Sequence, residues 1–166
     1  MSADGYATDT VTRLETNLDD LSPELTGATF ERLLAAGALD VWLTPIQMKK
    51  NRPGVQLSVL CDDAHAAALT DLVFTETSAF GLRVEKITRL KLERRCETVA
   101  TAFGDIIIKL GLRHGRILQI APEFESCRAA AERTGAPLRT VFAAASRAAE
   151  ERFGQPTATG LPHSHT

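Results

Sequence analysis

The chain of 166 residues has 44% hydrophobic and 24% charged residues, the composition of a globular protein with one domain or two small sub-domains. Its formal net charge of −2 gives no overall field that attracts nucleic acid, so any anion site must be local. No apolar run approaches the roughly 20 residues of a membrane span, and residues 1–10 lack the apolar core of a signal peptide. The sequence predicts no nucleic-acid partner and no membrane partner.

The three cysteines, Cys61, Cys96 and Cys127, are odd in number and far apart. This pattern argues against a disulfide framework and favours a reducing, cytoplasmic location. Cys127 is open to two interpretations, a soft ligand for nickel or a buried small apolar residue.

Residues 11–92 are predicted to form alternating strands and helices after a flexible N-terminal segment, residues 1–10. The predicted elements are a strand at 11–17, a helix at 22–37, a strand at 39–45, a strand from 55, a helix capped by Asp62 or Asp63, and an extended stretch at 81–92. Ser22 and Pro23 form a helix start, and Gly37 a helix end. The order βαββαβ is the ferredoxin-like arrangement, with helices on one face of an antiparallel sheet.

Two details of this sub-domain follow from apolar spacing. In the first helix the apolar stripe consists of Leu25, Phe30, Leu33 and Leu34. In the last strand Leu82, Val84, Leu90 and Leu92 share one phase, and Ile87 falls out of it, which predicts a bulge nearby.

Residues 93–155 are predicted to form a second sub-domain. Its elements are a β-hairpin of strands at 99–103 and 106–112, a short strand at 117–120, and two helices at 123–133 and 138–152. Residues 156–166 are predicted to be a disordered tail. The fold class is therefore α+β, a ferredoxin-like core with an additional β-hairpin and strand and two C-terminal helices.

An acidic run follows the first predicted strand. Asn17, Asp19 and Asp20 offer an amide oxygen and two carboxylates, which suit Mg²⁺ or Mn²⁺ bridging to phosphates. The alternative is an ordinary turn, since Asp and Asn commonly bond to nearby backbone at strand ends.

A basic turn precedes the third predicted strand. Lys49, Lys50 and Arg52 place three cations within four residues, and Pro53-Gly54 turns the chain so that they are exposed. The alternative is a solvated charged hairpin. In the ferredoxin-like order the first and third strands are antiparallel neighbours, so the acidic run and the basic turn should meet at one rim of the sheet.

A third polar segment, residues 76–83, joins the second helix to the fourth strand. The hydroxyls of Thr77 and Ser78, together with Gly81 and Arg83, could close over a nucleotide there. The alternative is a helix end followed by a Gly-assisted turn. No P-loop, dinucleotide-binding fingerprint or nucleophile elbow occurs in the sequence.

These segments resemble the LarC family of nickel-insertion proteins, which act in the biosynthesis of the nickel-pincer nucleotide cofactor. The matching strings are Glu15-Thr16-Asn17-Leu18-Asp19-Asp20, Ala36-Gly37-Ala38-Leu39-Asp40-Val41, Thr44-Pro45-Ile46-Gln47-Met48-Lys49-Lys50-Asn51-Arg52-Pro53-Gly54, Glu76-Thr77 with Gly81-Leu82-Arg83, and Pro122-Glu123-Phe124-Glu125-Ser126-Cys127. The resemblance runs from about residue 13 to residue 153 and concerns the C-terminal part of the family.

The resemblance implies a CTP-dependent nickel cyclometallase that works with Mn²⁺ or Mg²⁺. Such an enzyme activates a pyridinium bis-thiocarboxylic acid mononucleotide by cytidylylation and inserts Ni²⁺. The implied partners are CTP, this substrate, the N-terminal part of the family with its histidine-rich nickel-handling stretch, and further copies in a trimer or hexamer.

The resemblance also implies roles for individual residues. Catalytic roles are implied for Asp19, Asp20 and Lys49, and metal binding for Asn17, Asp19 and Asp20. Nucleotide binding is implied for Lys49, Lys50, Arg52, Gly54, Glu76, Thr77 and Arg83. The chain departs from the family at Asn51, where Gly is frequent, and at Ser78-Ala79-Phe80, where a Thr-rich string is expected. The competing hypothesis is a non-catalytic module that senses a nucleotide or holds an oligomer together.

Overall fold

The computed structural model describes residues 5–156. Among these, Thr8–Arg89 form one compact unit, and residues 5–7 with 90–156 form another. We refer to them as the first unit and the second unit. None of the helices in the described part of the chain is long and apolar enough to cross a membrane.

The first unit contains a βαββαβ succession. Its elements are β1 (Ala7–Leu18), α1 (Pro23–Ala35), β2 (Asp40–Met48), a short 3₁₀ turn (Lys49–Asn51), β3 (Arg52–Cys61), α2 (Asp63–Glu76) and β4 (Arg83–Lys91). The strand order is β2-β3-β1-β4, and β3 is antiparallel to both β1 and β2. This is the predicted ferredoxin-like arrangement.

The helices of the first unit begin where the sequence predicts. The Ser22 side chain accepts a hydrogen bond from the Leu25 amide, and Asp62 accepts one from the His65 amide. Inward-facing side chains of β1 and β3 pair across the sheet, as Leu14 does with Val59. They form a core with residues of both helices: Leu14, Leu18, Leu33, Val41, Leu57, Val59, Cys61, Leu69 and Val73.

The buried face of α1 differs from the predicted apolar stripe. Leu33 is buried, but Leu25 and Leu34 are exposed, and Thr26 and Thr29 are buried in their place. The threonine hydroxyls donate to helix carbonyls one turn earlier, the one of Thr26 to Ser22 and the one of Thr29 to Leu25. Because these hydroxyls are satisfied locally, their burial carries no unpaired polar group.

The expected exposure of the last strand of the first unit holds only in part, since Leu82 packs against the core but the later residues of the predicted face in β4 do not. Val84 and Leu90 are exposed to 58% and 65%, whereas Ile87 is half-buried. In the N-terminal segment that was expected to be flexible, residues 7–10 belong to β1. Residues 1–4 of that segment, and all but Pro156 of the predicted tail, lie outside the described residues.

The second unit is a three-stranded antiparallel sheet with two helices. Its elements are β5 (Glu93–Thr101), β6 (Gly104–Arg113), β7 (Arg116–Pro122), α3 (Phe124–Thr134) and α4 (Leu138–Phe153), with strand order β5-β6-β7. The inward face of β6 meets both helices in one core: Val99, Ile106, Ile108, Leu110, Leu112, Cys127, Ala130, Ala131, Val141, Ala145 and Ala149. The predicted hairpin, strand and helices are therefore present.

Candidate functional site

The acidic run and the basic turn meet at one rim of the first unit's sheet, as the topology predicts. Asn17 pairs with Gln56 and Leu18 with Val55, so the end of β1 lies beside the start of β3. The Arg52 guanidinium reaches the Asp19 carboxylate at 3.3 Å. Two segments more than 30 residues apart in the sequence thus form one polar rim.

Gly54 allows this close approach of the two strands. A Cβ atom on Gly54 would lie 2.6 Å from the Leu18 carbonyl oxygen and 2.9 Å from the Met48 sulfur. Contacts that short are not tolerated, so a side chain here would push β3 away from the end of β1. Gly54 also lines a small apolar cleft of about 290 Å³ between the sheet and α1, next to Leu18, Leu43 and Pro53.

The basic turn has an unusual backbone. Lys50 and Asn51 both have left-handed conformations, with φ of 60° and 56°. Asn tolerates this region, as expected for position 51, but Lys disfavours it. Lys49 and Lys50 form no ion pair with any residue in the described part of the chain. The turn therefore presents two lysine ammonium groups that the fold itself does not neutralise.

A cleft of about 580 Å³ lies beside this rim, and we call it the rim cleft. It is lined by Thr16, Asn17, Asp19, Asp20, Met48, Lys49, Ser78, Ala79, Phe80, Gly81, Leu82 and Arg83. Five predicted site residues are among them: Asn17, Asp19, Asp20, Lys49 and Arg83. Acidic and basic groups from three separate segments therefore share one concave surface.

Internal hydrogen bonds hold the polar groups of the rim cleft. Arg83 donates to the Asn17 side-chain oxygen at 2.7 Å and lies 3.7 Å from a Glu15 oxygen. The Ser78 hydroxyl donates to Asp20. Each predicted metal ligand thus has a protein partner, and Arg52 supplies the one for Asp19.

The loop that crosses the rim cleft, Thr77–Gly81, is fixed on both sides. The Thr77 hydroxyl donates to the Val73 carbonyl at 2.7 Å and accepts from the Ala79 amide at 3.1 Å. The buried Thr16 hydroxyl donates to the Gly81 carbonyl at 2.8 Å. Thr16 and Phe80 are not among the residues predicted for the site, whereas the Ser78 hydroxyl belongs to the predicted polar segment 76–83. The sequence offers one signal for Thr16: it is a polar residue in the inward phase of β1, where its hydroxyl needs a hydrogen-bond partner.

Five predicted nucleotide-binding residues do not line the rim cleft: Lys50, Arg52, Gly54, Glu76 and Thr77. Lys50 and Arg52 lie in and beside the basic turn, next to the cleft along the chain. Glu76 pairs with Arg32 at 2.6 Å, and Thr77 ends α2. Roles in binding for these residues stay predictions.

The donor chemistry of the rim cleft fits a hard divalent cation. Asp19 and Asp20 supply carboxylates and Asn17 an amide oxygen, which are the ligand types of Mg²⁺ and Mn²⁺. Among residues 5–156 no group of three or more His, Cys, Asp or Glu side chains could hold a metal ion. An ion held by Asn17, Asp19 and Asp20 would take its remaining ligands from phosphates and water.

Cys127 lies in the core of the second unit. Its thiol is fully buried, and burial together with the nearby Glu123 carboxylate raises its pKa. Glu123 caps α3 by accepting from the Ser126 amide at 2.8 Å and from Lys109 at 3.0 Å. This geometry favours the interpretation of Cys127 as a small core residue.

The fold and the rim cleft define a ferredoxin-like α+β protein with a mixed acidic and basic site at the end of its sheet. A family model described as nickel insertion protein matches residues 1–142, so the chain belongs to the nickel insertion protein family. This confirms the resemblance drawn from the motifs.

Curated relatives and a solved structure agree with this assignment. A putative nickel insertion protein of Pelobacter propionicus is 51% identical over 139 residues, which cover 84% of this chain and 36% of that protein. The pyridinium-3,5-bisthiocarboxylic acid mononucleotide nickel insertion protein of Thermotoga sp. (strain RQ2) is 41% identical over 138 residues, covering 83% of this chain and 34% of that protein. The chain thus spans about a third of the length of these relatives.

The solved structure is LarC2, the C-terminal domain of a cyclometallase involved in the synthesis of the NPN cofactor of lactate racemase, in its apo form. It is 39% identical to this chain, with a TM-score of 0.78, and the match covers 86% of this chain and 98% of that one. The fold of the chain is therefore that of the family's C-terminal domain.

Proposed function

We propose that this chain supplies the nucleotide-binding and metal-binding part of a nickel insertion enzyme that makes the nickel-pincer nucleotide cofactor. CTP binds in the rim cleft with Mn²⁺ or Mg²⁺, and Ni²⁺ is the metal inserted into the pyridinium mononucleotide. The observation that supports this proposal most directly is the convergence of Asp19, Asp20, Lys49 and Arg83 on one cleft of about 580 Å³. The relatives' names support the reaction.

The acidic side of the rim cleft would hold the divalent ion through Asn17, Asp19 and Asp20. When bound, the ion neutralises phosphate charge and orients the α-phosphate. One oxygen of Asp19 faces Arg52 and one oxygen of Asp20 faces Ser78. An ion held by these residues would complete its coordination with phosphate and water.

The basic side would bind the triphosphate. Arg83 is paired with Asn17, and Arg52 with Asp19, so both guanidinium groups become available for phosphate oxygens when the acidic side binds a cation. Lys49 and Lys50 add point charges that have no ion-pair partner among the described residues. Cation and nucleotide should therefore bind cooperatively, each reducing the cost of separating these pairs.

The reaction that this geometry suits is nucleotidyl transfer. An oxygen of a substrate carboxylate or thiocarboxylate attacks the α-phosphorus, its new bond to phosphorus forms, and the bond to the bridging oxygen breaks to release pyrophosphate. Lys49, which lines the cleft, would stabilise the negative charge that develops on the phosphates, and Asp19 and Asp20 would align the reacting groups through the ion that they hold.

Calorimetry of CTP binding with and without Mn²⁺ tests the metal role. We expect the double variant Asp19→Ala, Asp20→Ala to lose the increase in CTP affinity that Mn²⁺ gives the native chain. Asp71→Ala is the matched control, because Asp71 is an exposed carboxylate of α2 away from the rim cleft. An unchanged Mn²⁺ dependence in the double variant would contradict the assignment of these ligands.

A non-catalytic module that binds the nucleotide or holds an oligomer together is the competing function. The exposed leucines Leu25, Leu34 and Leu39 of the first unit favour contacts with another chain. Release of pyrophosphate from CTP, Mn²⁺ and the pyridinium substrate separates the two functions. We expect release with the native chain together with the family's N-terminal part, and binding without release would support the module.

A further inference from the structure

Phe80 is an exposed large hydrophobic side chain that lines the rim cleft. Its exposed fraction is 103%, so it makes essentially no packing contact within the described structure, although it lines the cleft beside Lys49 and Arg83. An exposed aromatic ring on a polar concave surface stabilises nothing in the fold itself. A partner that covers the ring gives it a function.

The backbone around Phe80 is held in place. Ser78 is tied to Asp20, the Ala79 amide to the Thr77 hydroxyl, and the Gly81 carbonyl to Thr16. The aromatic ring is therefore carried on a short segment anchored on both sides to the acidic rim and to the end of α2. Because the segment that carries the ring is already anchored, its backbone loses less conformational entropy when a ligand covers the ring.

We infer that Phe80 is the stacking surface for the base of the nucleotide whose phosphates bind at Lys49 and Arg83. This inference rests on the proposed function and adds a residue that the family resemblance does not supply, because the chain departs from the family pattern at Ser78-Ala79-Phe80. An aromatic ring next to cationic groups is the combination by which proteins hold a base and its phosphates together.

The chemistry of stacking also fixes what Phe80 does not do. Every base has a flat π surface, so a phenyl ring contributes affinity with little discrimination between bases. Phe80 should strengthen the binding of CTP and UTP by similar factors. Any preference for cytosine then comes from other groups of the cleft.

The test compares ligands with and without a base, each measured by calorimetry with Mn²⁺ on the native chain and on Phe80→Ala. The probes are CTP, UTP and inorganic tripolyphosphate. We expect Phe80→Ala to weaken CTP and UTP roughly tenfold or more, within the range of base–aromatic stacking, and to leave tripolyphosphate unchanged. Phe80→Tyr should restore CTP affinity.

Phe124→Ala is the matched control, since Phe124 is also an exposed phenylalanine but belongs to the second unit. Because Phe80 has no packing partner, Phe80→Ala should unfold at the same urea concentration as the native chain. Equal CTP affinity in Phe80→Ala and the native chain would overturn the inference. So would an equal loss of tripolyphosphate affinity, which would mean that the loop rather than the ring had changed.

Two further outcomes would assign Phe80 to a different partner and overturn the inference. One is a change of sedimentation coefficient in Phe80→Ala without a change in CTP affinity, as expected for a ring buried between copies. The other is a lower affinity of Phe80→Ala for nicotinamide mononucleotide, a pyridinium probe, with its affinity for CTP unchanged. If native protein binds neither CTP nor tripolyphosphate, the proposed function fails first, and the inference fails with it.

Discussion

The charged residues of α3 and those of the polar rim are paired in different ways. In the second unit Arg128 pairs with Glu125 and Glu132 within α3, and Glu123 caps the same helix. In the first unit Arg52 reaches Asp19 across 33 positions and Arg83 reaches Asn17 across 66. One set of pairs supports a local element, and the other gathers distant segments at a single rim.

This difference in pairing helps to locate a candidate binding site. Exposed ion pairs contribute about 0–1 kcal/mol each, so stability gives little reason to collect several of them at one point of a sheet. Pairs within α3 follow from helical spacing, whereas the rim pairs need a particular strand order. The rim is therefore where we propose binding, and we expect the second unit to have a supporting role.

The largest expected effect tests the supporting role of the second unit. Ile108→Ala removes a fully buried side chain of its core and should lower the free energy of unfolding by about 2–5 kcal/mol. Ile107→Ala is the control on the opposite face of the same strand, where the side chain is 42% exposed and the change should be much smaller. Urea unfolding measures both. The CTP affinity of the folded Ile108→Ala protein should stay at the native value. A loss of CTP affinity alongside the loss of stability would contradict the separate roles that we expect for the rim and the second unit.

A medium effect sharpens the assignment of the basic turn. Lys50→Gly removes a charge and relieves a left-handed Lys backbone, so the free energy of unfolding should rise by about 1 kcal/mol. CTP affinity should fall by roughly fivefold, equivalent to about 1 kcal/mol. Asn51→Gly is the control, with the same backbone region and no loss of charge. A gain in stability with unchanged CTP affinity would remove Lys50 from the site.

The smallest effect concerns the capping carboxylate of the second unit. The Ser126 amide and Lys109 hold the pKa of Glu123 below its ordinary range. A carboxyl whose pKa is lowered by folding stabilises the folded protein at pH values above its unfolded-state pKa, about 4.3. This contribution to stability is lost as the pH falls through the folded-state pKa. Glu123→Gln should therefore make the free energy of unfolding less dependent on pH below about 4.3. Urea unfolding at several pH values measures this, and equal slopes would contradict the capping role.

The element order and the meeting of the two charged segments could be predicted from the sequence. Ser22 and Asp62 are side chains whose chemistry caps helices locally, and Gly37 follows the end of α1. The predicted strand end at Pro45 is wrong, because β2 continues to Met48 in its pairing with β3. Once six elements are placed in a ferredoxin-like order, antiparallel pairing of β1 and β3 brings Asp19 to Arg52. Local signals and one topological rule are sufficient for this.

The burial of individual side chains could not be predicted in the same way. Thr26 and Thr29 enter the core because each hydroxyl finds a helix carbonyl, which polarity alone does not reveal. Val84 and Leu90 are exposed on the edge strand, although their spacing resembles that of a core face. Segment 76–83 is a predicted candidate, but the place of Phe80 in the site could not be predicted, because it depends on hydrogen bonds from that loop to the distant residues Thr16 and Asp20.

Gly54 gives the rim a property that its charged residues do not control. The separation of β1 and β3 is set there by the absence of a side chain, with no room for a Cβ between the strands. The spacing of the two strands at the rim therefore depends on Gly54 more directly than on the charged residues beside it. For the proposed site, substitution of those charged residues should change ligand affinity while this spacing persists, as long as the glycine is retained.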